Sequence, residues 1–147
     1  MLGYDISETT TISIAGAEWT IGLIPLAKYD ELADAVEESN RAFARHARTH
    51  TRPDEACDQC AALLGSAARK LRPTYREAVR WGLRGCDAPG IEVLTESTRL
   101  AGKDYPVVPV SMVERLARVA GGALVRRLGI AILDANRLCA KEILGFR

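Results

Sequence analysis

The chain has 147 residues, a formal net charge of +1 at pH 7 and 48% hydrophobic residues. That length is enough for one domain with a substantial core, and the longest apolar stretches fall far short of a membrane span. The first ten residues hold acids and no apolar run, so we expect no signal peptide. Four cysteines without an export signal favour the reducing cytoplasm, where metal ligands or thiols are commoner than disulfides.

Charge is spread unevenly along the chain. Residues 1–40 hold one lysine against eight acidic residues, whereas residues 41–84 hold ten basic residues against four acidic ones. Such asymmetry either steers a charged partner or disappears when the two segments pack together. We expect the second outcome, with basic side chains of the middle segment meeting acidic ones of the first.

The N-terminal part predicts a β-hairpin and then a long helix. Over residues 10–24, β-branched and aromatic residues alternate with small or polar ones, and Ala15-Gly16-Ala17 supplies a turn. Pro25 ends the second strand. A helix is then predicted over residues 27–50, acidic at its start and basic at its end, as the helix dipole prefers.

Two prolines divide the next segment. Pro53 disfavours helical geometry in the residue before it, and Asp54 can cap a second helix that runs to about Arg72. Pro73 then allows a new start, so a third helix is predicted over residues 74–84.

The C-terminal part predicts irregular structure and then helices. Residues 86–110 are expected to be irregular, apart from a short strand at residues 91–94. Residues 111–114 match a capping box that opens another helix, and Gly121-Gly122 interrupts it before a last helix that reaches about Leu144.

The sequence therefore predicts an α+β fold that is mostly helical. An N-terminal β-hairpin is followed by a helical hairpin and further helices. One domain is expected over residues 1–147, with the hairpin at about 10–24 and the helical part at about 27–147.

Four side chains near the bend of the helical hairpin carry the pattern most typical of a defined site: His46, His50, Cys57 and Cys60. The histidines are four apart and share one helix face, and the cysteines form a C-x-x-C pair at the start of the next helix. In an antiparallel hairpin the last turn before the bend faces the first turn after it, so these side chains should converge. Two imidazoles and two thiols are the ligand set of a closed, structural zinc site.

Other interpretations of these four residues stay open. Two small core cysteines beside capping or partly exposed histidines would give the same pattern without metal. A thioredoxin-like motif is disfavoured because no strand precedes Cys57, and a zinc protease is excluded because H-A-R-T-H lacks its glutamate. Cys86 and Cys139 are not expected to take part.

Four arginines spaced four residues apart form the second candidate surface, a stripe along the third predicted helix: Arg72, Arg76, Arg80 and Arg84. We expect Arg76 and Arg80 to pair with carboxylates of the first helix. The alternative is binding of phosphate or of an acidic partner protein. Few aromatic residues interleave with the arginines, so stacking on single-stranded nucleic acid is not indicated.

No catalytic set stands out in the sequence. It contains neither a G-x-S-x-G nucleophile motif nor a phosphate-binding glycine loop, and both histidines belong to the predicted metal cluster. Paired carboxylates such as Glu37-Glu38 fall on a helix face that should be solvated. We therefore predict that the protein is not an enzyme.

The order of elements resembles the small tail assembly chaperones of long-tailed bacteriophages and related tail-like elements. The resemblance lies in ISIAGAEWTIGLIPLAKYDEL at residues 12–32, a hairpin followed by Pro-Leu and a helix, and in AILDANRLCAKEILGF at residues 131–146, a terminal helix. The His/Cys cluster departs from the usual pattern of that family, and a zinc-stapled subgroup would account for it.

The resemblance implies a non-enzymatic protein in the cytoplasm of the host cell. Such a protein would bind the tail tape-measure protein or tail-tube subunits before the tube polymerises, with self-association as a further property. The candidate contact surfaces are the last helix and the arginine stripe. The alternative is a zinc-stabilised nucleic-acid-binding or regulatory module that uses its arginine-rich helices.

Overall fold

The computed structural model describes residues 8–50 and 57–144, with side-chain surroundings up to residue 137. Its elements are, in chain order, β1 (Thr9–Ile14), β2 (Ala17–Gly22), α1 (Leu26–Ala47), α2 (Asp58–Gly82), β3 (Leu83–Cys86), β4 (Glu96–Leu100), β5 (Lys103–Val107), α3 (Val110–Ala120) and α4 (Gly122–Leu144). The fold is α+β and mostly helical, with an N-terminal hairpin, as the sequence predicts. Among the described helices, none is long and apolar enough to cross a membrane.

The N-terminal hairpin pairs β1 with β2 in antiparallel register. Its two-residue loop has positive φ at both positions, 54° at Ala15 and 79° at Gly16, the backbone geometry whose twist matches the flanking strands. On β2 the alternating residues Trp19 and Ile21 are both buried. The predicted hairpin is therefore confirmed.

The N-terminal sheet has a third strand, which the sequence did not indicate. α2 ends at Gly82, and β3 pairs with β2 in the order β1-β2-β3. The prediction that a helix continues to Arg84 was wrong at this end. Leu83 is fully buried, and the strand pairs the edge of β2 that would otherwise expose its backbone polar groups.

Pro73 lies inside α2 and does not divide it, so the prediction of two separate helices was wrong. A proline in a helix interior removes one backbone hydrogen bond and costs about 3 kcal/mol or more. Leu71, Thr74 and Tyr75 flank it and are buried in the core, and their packing offsets that cost. The predicted break at Pro53 lies outside the described residues. The predicted cap at Asp54 was wrong, because α2 begins at Asp58 with Cys57 as its N-cap.

A second hairpin occupies part of the segment expected to be irregular. β4 and β5 are antiparallel, joined by Ala101 (φ 53°) and Gly102 (φ 81°), the same dipeptide and backbone geometry as in the first hairpin. The predicted short strand at residues 91–94 was wrong, because these residues are not in a strand. Val107 at the end of β5 is fully buried, which ties this hairpin to the core.

The C-terminal helices begin and end partly as predicted. α3 starts after Pro109 without a side-chain cap, so the predicted capping box was wrong: Ser111 already lies in the first helical turn. Gly121 ends α3 with φ 97°, which confirms the predicted interruption, and α4 then runs to Leu144 as expected.

The core is built where α4 crosses α2 beside the three-stranded sheet. A Cβ at Gly129 would lie 2.8 Å from the backbone oxygen of Tyr75, so glycine allows the two helices to approach this closely. Asn136 is fully buried; its Oδ1 accepts the Ile24 N–H at 2.8 Å and its Nδ2 donates to the Ile132 oxygen at 2.7 Å. These bonds fix α4 to the chain that leaves the hairpin.

The far ends of α1 and α2 extend away from this core as a two-helix arm, which we define as residues 33–50 and 57–70. None of these residues is buried, whereas Leu32 and Leu71, which border the arm, both are. A cavity of about 390 Å³ lies between the two helices of the arm. Packing along the arm is therefore loose.

Substitution of Gly129 tests the close crossing of α2 and α4. Gly129→Ala should lower the free energy of unfolding by about 1–3 kcal/mol, because the added methyl group must displace the Tyr75 backbone. Gly122→Ala is a matched control in the same helix, since nothing lies within 4 Å of its added Cβ. Urea denaturation should show the control unchanged or stabilised by up to about 1 kcal/mol; equal effects of both substitutions would contradict the proposed crossing.

Candidate metal centre

The four predicted ligands meet at the tip of the arm. His46 lies in the last turn of α1 and His50 three residues beyond its end, while Cys57 is the N-cap of α2 and Cys60 lies in its first turn. The chain past α1 keeps a helix-like turn, because the His50 N–H donates to the Ala47 oxygen at 3.1 Å. This turn keeps both imidazoles on one side.

The donor atoms form a compact group. His46 Nε2 lies 3.2 Å from Cys57 Sγ, His50 Nε2 lies 3.3 Å from Cys60 Sγ, and the two Nε2 atoms are 3.2 Å apart. The imidazole rings are nearly perpendicular, at 89°, and all four donor atoms lie within 4.8 Å of one another. The predicted convergence is confirmed, and the group could hold a metal ion.

These separations match the edges of a metal-centred tetrahedron. Zinc bonds of about 2.0–2.1 Å to nitrogen and about 2.3 Å to sulfur place neighbouring ligands about 3.3–3.8 Å apart. The three closest separations lie at the lower limit of that range or just below it. Coordination requires these three pairs to separate slightly and the more distant donor atoms, all within 4.8 Å of one another, to approach.

Hydrogen bonding alone does not account for all three contacts. Each Nε2 atom carries either one proton or one lone pair and so makes one good hydrogen bond. If His46 bonds Cys57 and His50 bonds Cys60, the 3.2 Å contact between the two Nε2 atoms is left without a bond. A cation between the four donors satisfies every contact at once.

The start of α2 fixes the position of Cys57 in the cluster. Cys57 Sγ accepts the Cys60 N–H at 3.4 Å, and the Cys57 carbonyl oxygen accepts the Ala61 N–H at 3.1 Å to begin the helix. Four protein ligands fill a tetrahedral shell, so a metal ion held by all four residues would have no open position for a substrate.

Two of the four arginines of the stripe form hydrogen bonds within the fold, and the other two line open cavities. Arg80 pairs with Glu77 at 3.1 Å and donates through Nε to the Val108 oxygen at 3.2 Å. Arg84 donates to the backbone oxygens of Trp81 and Leu23, and burial lowers the pKa of its guanidinium. Both side chains are thus engaged within the fold.

The expected pairing of Arg76 and Arg80 with carboxylates of the first helix was wrong. Among the described residues, the ion pair of Arg80 is with Glu77 of its own helix, and Arg76 makes none. The physical reason is that Arg76 and Arg80 lie on a face of α2 that is directed toward Val108 and the junction between α3 and α4, and not toward α1. This orientation keeps both guanidinium groups away from the carboxylates of α1.

Arg72 and Arg76 instead line cavities together with Arg118 and Arg126, which sequence reasoning missed. No spacing in the sequence connects these four arginines, because they belong to three different helices. Their proximity depends on the tertiary fold.

Metal content provides a direct test of the cluster. Native mass spectrometry of the purified chain should show one bound divalent ion, and Cys60→Ser should lose it because one of four ligands is weakened. Cys86→Ser is the matched control, since Cys86 donates to the Ile91 oxygen and lies outside the cluster. Equal metal content in all three proteins would contradict the site.

Comparison with known proteins identifies no relative of this chain. No protein-family model matches the chain, and searches of curated proteins and of solved structures give no match. The assignment of the site therefore depends on the geometry of its four ligands.

Proposed function

We propose that the protein binds one zinc ion through His46, His50, Cys57 and Cys60, and that this ion holds the arm closed. The observation that supports the proposal is the convergence of four donors at the tip of an arm that has no buried residue. Thiolate and imidazole ligands in a tetrahedral set favour zinc, whereas calcium and magnesium prefer oxygen ligands.

The arm needs such a link because its own packing is weak. Isolated helices of this length are marginal in water, and most helical stability in proteins comes from packing an apolar face. Here that face is half-exposed, and Leu64 on α2 is 58% exposed. Because an unfolded site does not bind metal well, the free energy of zinc binding stabilises the closed arm directly.

Removal of zinc should therefore open the arm and leave the core folded. Hydrogen–deuterium exchange should show amides of residues 33–47 and 58–70 losing protection after chelation, while the buried part of α4 keeps its protection. His50→Ala should reproduce this pattern without chelator, and Cys86→Ser should not. Unchanged protection of the arm after complete zinc loss would contradict the proposed role.

We further propose that the zinc-stapled protein catalyses no reaction and acts in tail assembly, binding a tape-measure protein or tail-tube subunits in the host cytoplasm. A specific observation favours this candidate. The two stretches that carry the resemblance, residues 12–32 and 131–146, contact each other through the buried bond from Ile24 N–H to Asn136. Together they form one structural unit, as expected if they derive from a common fold.

Side-chain burial limits which apolar residues such a partner could contact. Leu133 of the last helix is buried and belongs to the core, whereas the side chains of Leu138, Ile143 and Leu144 lie outside the described set. Among the side chains that the structure describes, large exposed apolar ones are found instead at four positions: Leu64, Leu94, Val110 and Val119. Leu64 lies on the projecting arm, which makes the arm the better candidate for contact with an apolar helix.

Co-expression with the tape-measure protein of the same tail system tests this proposal. The wild-type chain should keep the tape-measure protein soluble, and Leu64→Glu should abolish that effect because it places a charge on the contact surface. Leu94→Glu is the matched control, with the same residue type and a similar exposure of 59%. A tape-measure protein that stays insoluble beside the wild-type chain would refute the role.

A further inference from the structure

Four arginine side chains from three helices line two adjoining cavities. Arg72 and Arg76 come from α2, Arg118 from α3 and Arg126 from α4. The cavities measure about 290 and 380 Å³ and share Arg72, Arg76 and Gly122. We call this combined surface the arginine pocket.

Positive charge in the arginine pocket is not balanced within the fold. Glu114 is the one acidic residue that lines the two cavities, and among the described residues it forms no ion pair with any of the four arginines. Like charges at i and i+4, as at Arg72 and Arg76, disfavour a helix by about 0.2–0.5 kcal/mol per pair. An anionic ligand would remove this repulsion.

The other two arginines of the stripe differ from Arg72 and Arg76, because their guanidinium groups have partners within the fold. One turn further along α2, Arg80 has both a carboxylate and a carbonyl partner, and Arg84 on β3 has two carbonyl partners. For Arg72 and Arg76, the described structure gives no hydrogen bond from the guanidinium to the protein. Within the stripe, the two arginines without a described internal partner, Arg72 and Arg76, are the two that line the pocket.

The backbone at the start of α4 adds positive charge to the arginine pocket. α4 begins at Gly122 on the wall of both cavities, and helix N-termini carry a partial positive charge with N–H groups directed outward. No atom lies within 4 Å of where a Cβ would stand at Gly121 or Gly122, so a ligand can approach the backbone closely.

We propose that the arginine pocket binds a phosphate group. Four arginines that line two adjoining cavities suit a ligand that concentrates negative charge, and a phosphate monoester carries about −1.5 to −2 with three strong acceptor oxygens. A carboxylate carries a single charge. The planar fork of arginine also matches phosphate oxygens in a bidentate manner. This inference is independent of the zinc site and of the role in tail assembly.

Calorimetric titration of the zinc-loaded protein with pyrophosphate tests the inference. We expect saturable binding with one site per chain. Arg126→Ala should weaken it at least tenfold, and Arg76→Ala should act in the same direction. Arg127→Ala is the matched control, because Arg127 is the next residue of the same helix, is exposed and does not line either cavity. Circular dichroism of each variant should match the wild type.

Two further titrations identify the source of the phosphate. Tighter binding of a single-stranded oligonucleotide than of pyrophosphate, with the same dependence on Arg126, would support the site and assign it to a nucleic-acid backbone. Weaker oligonucleotide binding would support it as a site for small phosphate compounds. Binding of polyglutamate but not pyrophosphate would overturn the inference in favour of an acidic protein. Equal losses in Arg126→Ala and Arg127→Ala, or no saturation, would also overturn it.

Discussion

Contact between four side chains, His46, His50, Cys57 and Cys60, joins α1 and α2 at the tip of the arm. The two helices are anchored in the core at one end, through Leu32 and through the buried residues from Leu71 onward. Between that anchor and the tip, half-exposed side chains and a cavity of about 390 Å³ provide little burial free energy. In the proposed account, a metal link at the tip closes the open end and fixes the register of the helices.

α2 connects this tip to the core and to the three-stranded sheet. It begins at the cluster with Cys57 as its cap, crosses α4 at Gly129, and passes directly into β3 of the sheet. Because the helix continues through Pro73, the arm and the core share one rigid element. The arginine pocket lies along its middle, so the two sites proposed for the protein are carried by the same helix.

Local sequence signals predicted those parts of the structure that depend on local spacing. The cluster follows from a histidine pair at i and i+4 and from C-x-x-C, both of which place side chains on one face regardless of the rest of the fold. The first hairpin was predicted from alternating strands around Ala15-Gly16. The second has the same dipeptide at residues 101–102, but its strands contain Arg99, Lys103 and Pro106 and lack a clear alternation.

Features set by tertiary packing could not be predicted in this way. The helix continues through Pro73 because the burial of its neighbours offsets the lost hydrogen bond. Rules based on the local sequence do not include the free energy of that burial. β3 exists because β2 has an edge to pair, while the spacing of Arg80 and Arg84 is equally typical of a helix. The arginine pocket joins side chains from three helices, so its composition becomes visible only in the folded chain.

The central claim is that zinc closes the arm through two imidazoles and two thiolates. X-ray absorption at the zinc edge of the purified protein measures that ligand shell directly. The account predicts two nitrogen ligands at about 2.0–2.1 Å and two sulfur ligands at about 2.3 Å. A shell of oxygen and nitrogen ligands without sulfur would contradict it. So would a purified and folded protein that takes up no zinc.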